Sequence, residues 1–309
     1  DGCIGSMEGL YFESSATTPY QFLNQDELSW SPSNAQRKMP YEAGPPSETS
    51  FDRGVRHMQM MGVRYYLAIE QNTQALADRH PSLRQVATSG PWRIYEVADA
   101  PVVQGLTNQP AVLTGQPVTG EPWQSVAVCW WRNPDNWDVV LAADGPAEWQ
   151  RVTRTNLPPE DAYPTQKCEP SEDWGWFTTD GRPEAKAQPA VEVSNVSVTQ
   201  DGVSFDVDRP GVPVMVKVSY FPNWKVSGEQ GPFRATPNFM IVIPEGTHVE
   251  LSYGWTALDG VAYLISLVGL AGLVLLFRSR PVAVAPPGRY WGRAERPDNF
   301  KVPRSEPNG

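Results

Sequence analysis

From Gly260 to Phe277 the chain reads GVAYLISLVGLAGLVLLF, eighteen residues without a charge. At 1.5 Å rise per residue a helix of that length covers roughly 27 Å, close to the thickness of a bilayer's hydrocarbon layer. A buried core helix normally keeps a polar stripe, and this run has none. The pattern predicts a transmembrane helix over 258–277. Arg278 and Arg280 follow at once, and residues 278–309 carry seven basic against three acidic side chains, a net of +4. The whole chain stands at −10, so the remainder carries −14. The positive-inside rule then makes 1–257 extracytoplasmic and 278–309 cytoplasmic. That tail is rich in Pro and Gly with little apolar periodicity, which predicts disorder.

The chain opens Asp1-Gly2-Cys3-Ile4, with neither the basic nor the apolar segment of a secretory signal. A large domain outside the membrane needs one or the other route across. The expectation is the C-terminal part of a polytopic protein with a transmembrane core upstream, or a mature form. An acidic balance outside the tail argues against nucleic acid, which requires a basic face to displace counterions. Three scattered His and three scattered Cys argue against zinc. Cys129 and Cys168 are the candidates for a disulfide across the Trp-rich region, with Cys3 left over; the alternative is three separate buried thiols.

The fold class read from the sequence is α+β: a small α/β unit, a Trp-rich helical insertion, a C-terminal β-sandwich, one transmembrane helix and a disordered tail. The first domain covers 1–110. Its N-terminal segment is irregular apart from a short helix at FLNQDEL. Val55, Met58 and Met61 recur at helical spacing, and Gly62 suits the position after a helix end. Strands follow at 63–69, 83–88 and 92–97, with a helix over 73–79 capped by Asn72 between the first two. Residues 111–190 form the Trp-rich region and connector, with short helices predicted at 123–131 and 135–143. Residues 191–254 alternate apolar and polar side chains between turn signals, giving about seven short strands and hence a small sandwich.

The usual catalytic signatures are missing: no GxSxG, HExxH, CxxC, P-loop or GxGxxG occurs. His57, His80 and His248 fall on three different elements and are expected at surface or helix-end positions. Asp26-Glu27, Glu160-Asp161 and Glu172-Asp173 are expected in polar loops, and Asp206 and Asp208 at a hairpin end beside Arg209. No metal site and no cofactor is expected. Tryptophan is the most suggestive residue type, since seven of the twelve lie in 121–185. Two readings stay open: core packing, the commoner use of tryptophan, and stacking on sugar faces. For the second, Trp131, Trp137, Trp174 and Trp176 are the candidate glycan contacts, with Glu13 and Asn24 behind them.

Four stretches carry a resemblance: Glu8–Leu28 (EGLYFESSATTPYQFLNQDEL), Phe51–Ala68 (FDRGVRHMQMMGVRYYLA), Gly90–Val97 (GPWRIYEV) and Tyr220–Gly254 (YFPNWKVSGEQGPFRATPNFMIVIPEGTHVELSYG). They resemble the C-terminal portion of large actinobacterial integral membrane proteins that bear a 6-pyruvoyl-tetrahydropterin-synthase-related domain label. The strand GVRYYLA and the block from YFPNWKV to ELSYG before a last helix look, more loosely, like YfhO-type proteins of the GT-C class of membrane glycosyltransferases. The pterin wording implies a histidine zinc site, which these three histidines do not form. The GT-C class implies sugar transfer from a polyprenyl-phosphate donor to an envelope acceptor. Its catalytic carboxylate belongs to an early outside loop, so no catalytic residue carries over onto this chain. The resemblance implies a role in recognising a polyprenyl-linked sugar or envelope glycan beside a catalytic membrane core. The rival is a non-catalytic, membrane-tethered structural or assembly module of the cell envelope. Fully buried tryptophans together with a flat apolar patch would favour the rival.

Overall fold

Two helices crossing at a glycine open the fold. α1 (Thr18–Leu28) packs on α2 (Glu48–Met61), and at the crossing a Cβ on Gly54 would stand 2.7 Å from Leu28 Cδ2 and 3.0 Å from Glu27 Cβ. A larger residue there would force the Leu28 side chain or the helix spacing to shift. The computed structural model describes residues 18–29, 46–115, 118, 120–132, 136–153 and 183–278, in two units divided after Gly254. α2 starts at a serine capping box: Ser47 Oγ accepts from the Ser50 N–H, and Ser50 Oγ accepts from the Ser47 N–H. It ends as its sequence predicts, at Gly62 with φ +70° and the glycine N–H returned to the Gln59 carbonyl.

β1 (Tyr65–Ala68), α3 (Gln71–Ala77), β2 (Leu83–Ser89) and β3 (Trp92–Val97) complete this part, with antiparallel sheet order β1-β3-β2. Ala68, Leu83, Tyr95 and Val97 pack on Phe51, Val55 and Met58 of α2 and on Leu76 and Ala77 of α3. The predicted cap of α3 is displaced: Glu70 holds the N-cap position and makes no side-chain cap bond, while Asn72 lies inside the helix.

A mixed seven-stranded sheet gathers strands from widely separated parts of the chain. It uses β4 (Val103–Gly105), β5 (Ala111–Thr114), β6 (Leu141–Ala142) and β7 (Gln150–Thr153), with α4 (Gly120–Arg132) between β5 and β6. The remaining strands are β8 (Val193–Val198), β9 (Gly202–Val207), β10 (Val214–Val216), β11 (Trp224–Val226), β12 (Gln230–Ala235), β13 (Phe239–Ile243) and β14 (His248–Tyr253). The large sheet runs β4-β10-β13-β12-β6-β5-β7, and a smaller one runs β11-β14-β9-β8. Strands from either side of residue 190 therefore share one sheet.

Alternation splits the core between the two faces of that sheet. Val214, Val216, Met240 and Val242 face Phe205, Val207, Val249 and Leu251 of the smaller sheet, while Met215, Ile241 and Ile243 face α4. The helix expected over 135–143 is absent. From Asn136 the described chain runs through a turn, and Leu141–Ala142 is taken into the sheet between β12 and β5. There the Leu141 N–H donates to Thr236 Oγ1 and the Thr236 N–H to the Leu141 carbonyl. Sheet pairing with distant strands overrides the local helical pattern.

The second unit contains α5 (Ala257–Arg278). Thr256 and Asp259 form its capping box, with the Thr256 N–H on Asp259 Oδ2 and the Asp259 N–H on Thr256 Oγ1. Trp255 stacks on Tyr263 with ring centroids 4.5 Å apart. Among the described residues α5 is the one helix long and apolar enough to cross a membrane, and none of its residues is buried.

Candidate functional site

Three of the predicted contact residues, Asn24, Trp131 and Trp137, meet around a histidine. His57 on α2 is completely buried, contrary to the surface position expected for it. Its ring stacks on Trp131 at 3.4 Å between centroids and 9° between planes, and Trp137 leans against it at 4.7 Å. Nδ1 lies 2.7 Å from Glu27 Oε2 and Nε2 lies 2.9 Å from the Trp131 carbonyl. A carbonyl oxygen only accepts, so Nε2 carries a hydrogen. Glu27 Oε1 already accepts from Arg53 Nε at 2.7 Å, and Oε2 from Asn24 Nδ2 at 3.3 Å. The Glu27 carboxyl group thus joins Asn24, Arg53 and His57, and the imidazole lies flat on an indole in a dry setting.

Asp26 and Glu27 were expected in a polar loop and instead sit on α1, buried at 6% and 0% exposure. The reason is the helix crossing. With Gly54 letting α1 approach, Asn24 Nδ2 donates to the Gly54 carbonyl at 2.9 Å and Glu27 reaches into α2. Arg56, on the solvent side of α2, lays its guanidinium over Trp137 at 5.0 Å. Trp137 gives its indole N–H to the Trp131 carbonyl at 2.9 Å. Both nitrogens of His57 are therefore occupied and its side chain is sealed from solvent. The cluster can lock α1, α2 and α4 together, but it presents no base and no open stacking platform to a substrate.

The other described tryptophans of the region are packing residues as well. Trp123, Trp130 and Trp149 are buried; Trp123 Nε1 donates to the Pro237 carbonyl and Trp130 Nε1 to the Val139 carbonyl. Glu13, Trp174, Trp176 and Cys168 lie outside the described residues, as does Cys3. Cys129 is disulfide-bonded.

An open cleft of about 550 Å³ lies where α2 begins and α3 ends, lined by Thr49, Asp52, Arg79, His80 and Pro81 among others. His80 Nδ1 accepts from the Ser82 N–H, which leaves Nε2–H to donate to Asp52 at 3.3 Å. Asp206 is half-buried and held by Asn195 and His248, whose hydrogen bonds keep its pKa below the usual carboxylate value. Asp208 instead accepts from the Glu192 N–H. Among the described residues no group of three or more His, Cys, Asp or Glu could hold a metal ion.

The outer face of β1-β3-β2 is the feature that sequence reading missed. Period two sends Tyr65, Leu67 and Ile69 to the side away from the helices, and they are 46%, 52% and 43% exposed. Register places Ile94 beside Leu67 and Ala87, while Glu96 stands between Tyr65 and Arg84. The result is an apolar strip, widened by exposed Val86 and half-buried Trp92. At one end it is bordered by charges of both signs: Arg84 and Arg64 each pair with Glu96. The alternation in VRYYLAI was the signal that could have found it. No protein-family model, no curated protein and no solved structure matches the chain.

Proposed function

We propose that the chain is a membrane-tethered structural or assembly module of the cell envelope, docking a second protein on the outer face of β1-β3-β2. In this reading α5 crosses the bilayer, 1–257 are extracytoplasmic, 278–309 are cytoplasmic, and the two larger sheets form a β-sandwich. The apolar strip of Tyr65, Leu67, Ile69, Val86 and Ile94 carries the proposal, because a monomer gains nothing from leaving such a face open to water. The charge pattern selects the occupant. Arg64, Arg84 and Glu96 make a rim of mixed sign, which suits a polar protein rim better than the single-sign field of an anionic bilayer. Burial of Trp123, Trp130, Trp131 and Trp149 supports the same choice over glycan stacking. The assembly served would be a multi-spanning protein of the glycosyltransferase type that the sequence resembles, with sugar transfer performed outside this chain.

The test is a photoreactive side chain placed at position 67 of the full chain in native membranes. A discrete adduct with another protein, lost when Ile94→Arg is added and absent from position 250 on β14, is the expected outcome. Adducts confined to lipid, or none, would contradict the proposal.

A further inference from the structure

Arg234 on β12 is a half-buried guanidinium with no carboxylate partner among the described residues, unlike Arg53, Arg64, Arg79, Arg84 and Arg93, which are all ion-paired. Its two protein acceptors are neutral. Nε donates to Asn238 Oδ1 at 3.0 Å and Nη1 to the Val118 carbonyl at 2.9 Å. A guanidinium has five N–H donors, so three remain without an acceptor among the described residues, Nη2 carrying two of them.

The surroundings hold the fork still. Its carbon lies 4.8 Å from the Trp123 ring centroid and 5.8 Å from that of Tyr220. The Pro237 carbonyl, in the turn between Arg234 and Asn238, accepts from both Tyr20 Oη and Trp123 Nε1. Asn238 is 1% exposed, and while its Oδ1 takes the arginine, its Nδ2 is buried without an acceptor. Val118 stands two residues before the first residue of α4, so the guanidinium lies at that helix's positive end. Burial without a counter-ion lowers the pKa of Arg234, the direction expected where positive charge is not neutralised.

We propose that Arg234 and Asn238, at the amino end of α4, form a binding site for a phosphate group. A pre-aimed guanidinium edge and an orphan amide N–H offer donors in number to a tetrahedral oxyanion, and the missing partner is an anion. The phosphate could belong to a soluble phosphorylated compound or to a lipid headgroup, and the two sources are separable.

The experiment uses the full chain in nanodiscs of phosphatidylcholine. Inorganic phosphate is titrated by calorimetry, and in parallel the modification of individual arginines by phenylglyoxal is followed by mass spectrometry. A second set of nanodiscs contains phosphatidylglycerol and receives no phosphate. Saturable binding, with Arg234 selectively protected while Arg84 reacts unchanged, is the expected result. Arg234→Lys should weaken binding by about tenfold, since an ammonium cannot reproduce the fork. Protection by phosphate points to a soluble ligand, and protection by phosphatidylglycerol alone points to a headgroup. The labelling arm needs no variant, so a misfolded Arg234→Gln would not blunt the test. Arg234 reacting equally fast in all conditions, or uniform protection of every arginine, would overturn the site.

Discussion

α4 and α5 are both apolar helices, and the structure treats them oppositely. In α4, Trp123, Val126, Ala127, Trp130 and Trp131 are buried, and two of the three indoles give their N–H groups to distant backbone carbonyls. In α5, Leu267 is 64% and Phe277 86% exposed, and none of its residues is buried. The difference lies in where each helix finds its solvent. α4 ends in Arg132, and the indole N–H groups of Trp123 and Trp130 find carbonyl partners in the folded interior, while Trp131 Nε1 is buried without one. α5 satisfies its own backbone and needs only hydrocarbon. Apolar content alone does not separate the two; the polar atoms a helix must satisfy do.

The largest expected effect comes from breaking the socket of α4. Glu27→Ala leaves Arg53 and His57 without their carboxylate in a dry site and should cost on the order of 3–5 kcal/mol, read from denaturant unfolding of the full chain in detergent. Trp131→Ala should fall in the same range through loss of a fully buried indole. A midpoint unchanged in both variants would refute the lock. For α5, Val268→Arg at mid-helix should disfavour membrane insertion by about 2.5–3.5 kcal/mol in a glycosylation-mapping assay, with the unfolding midpoint of residues 1–254 unmoved.

Lys217 tests the boundary between these regimes, because its amine is buried and its one hydrogen-bond partner among the described residues is the Gln59 carbonyl at 2.9 Å. Burial lowers its pKa from 10.5 to about 8. The folded state thus disfavours the charged form. Below about pH 8 the full penalty applies, and stability should rise as pH climbs from about 8 toward 10.5. Lys217→Met should remove that slope and stabilise the protein at pH 7 by on the order of 2 kcal/mol, less what the lost bond to α2 contributes. The smallest effect belongs to Arg84→Ala at the exposed rim, within about 0.5 kcal/mol; its consequence should be for partner docking instead.

Much of the fold was legible where the signal is local. The spacing of Val55 and Met58, the glycine ending α2, the hairpin at Ser89–Trp92 and the uncharged run of α5 are each contained in one short stretch. The large sheet was not, because β4 through β7 are two to four residues long and find partners far along the chain. The second predicted helix failed for the same reason, since Leu141 and Ala142 answer to Thr236 and to β5. The His57–Glu27 pair was hidden differently. Nothing in either residue's neighbourhood signals a partner thirty positions away, whereas a glycine at the crossing, Gly54, makes the pairing possible.

Side-chain oxidation by hydroxyl radicals tests the division between a closed tryptophan core and an open docking face most directly. It compares the full chain in native membranes with the chain purified in detergent, reading Leu67, Ile69, Val86 and Trp92 against Trp123 and Trp131. The docking face should be protected in native membranes and oxidised in detergent, while Trp123 and Trp131 stay protected in both. Equal oxidation of the face in the two preparations, or ready oxidation of Trp131 in either, would contradict it.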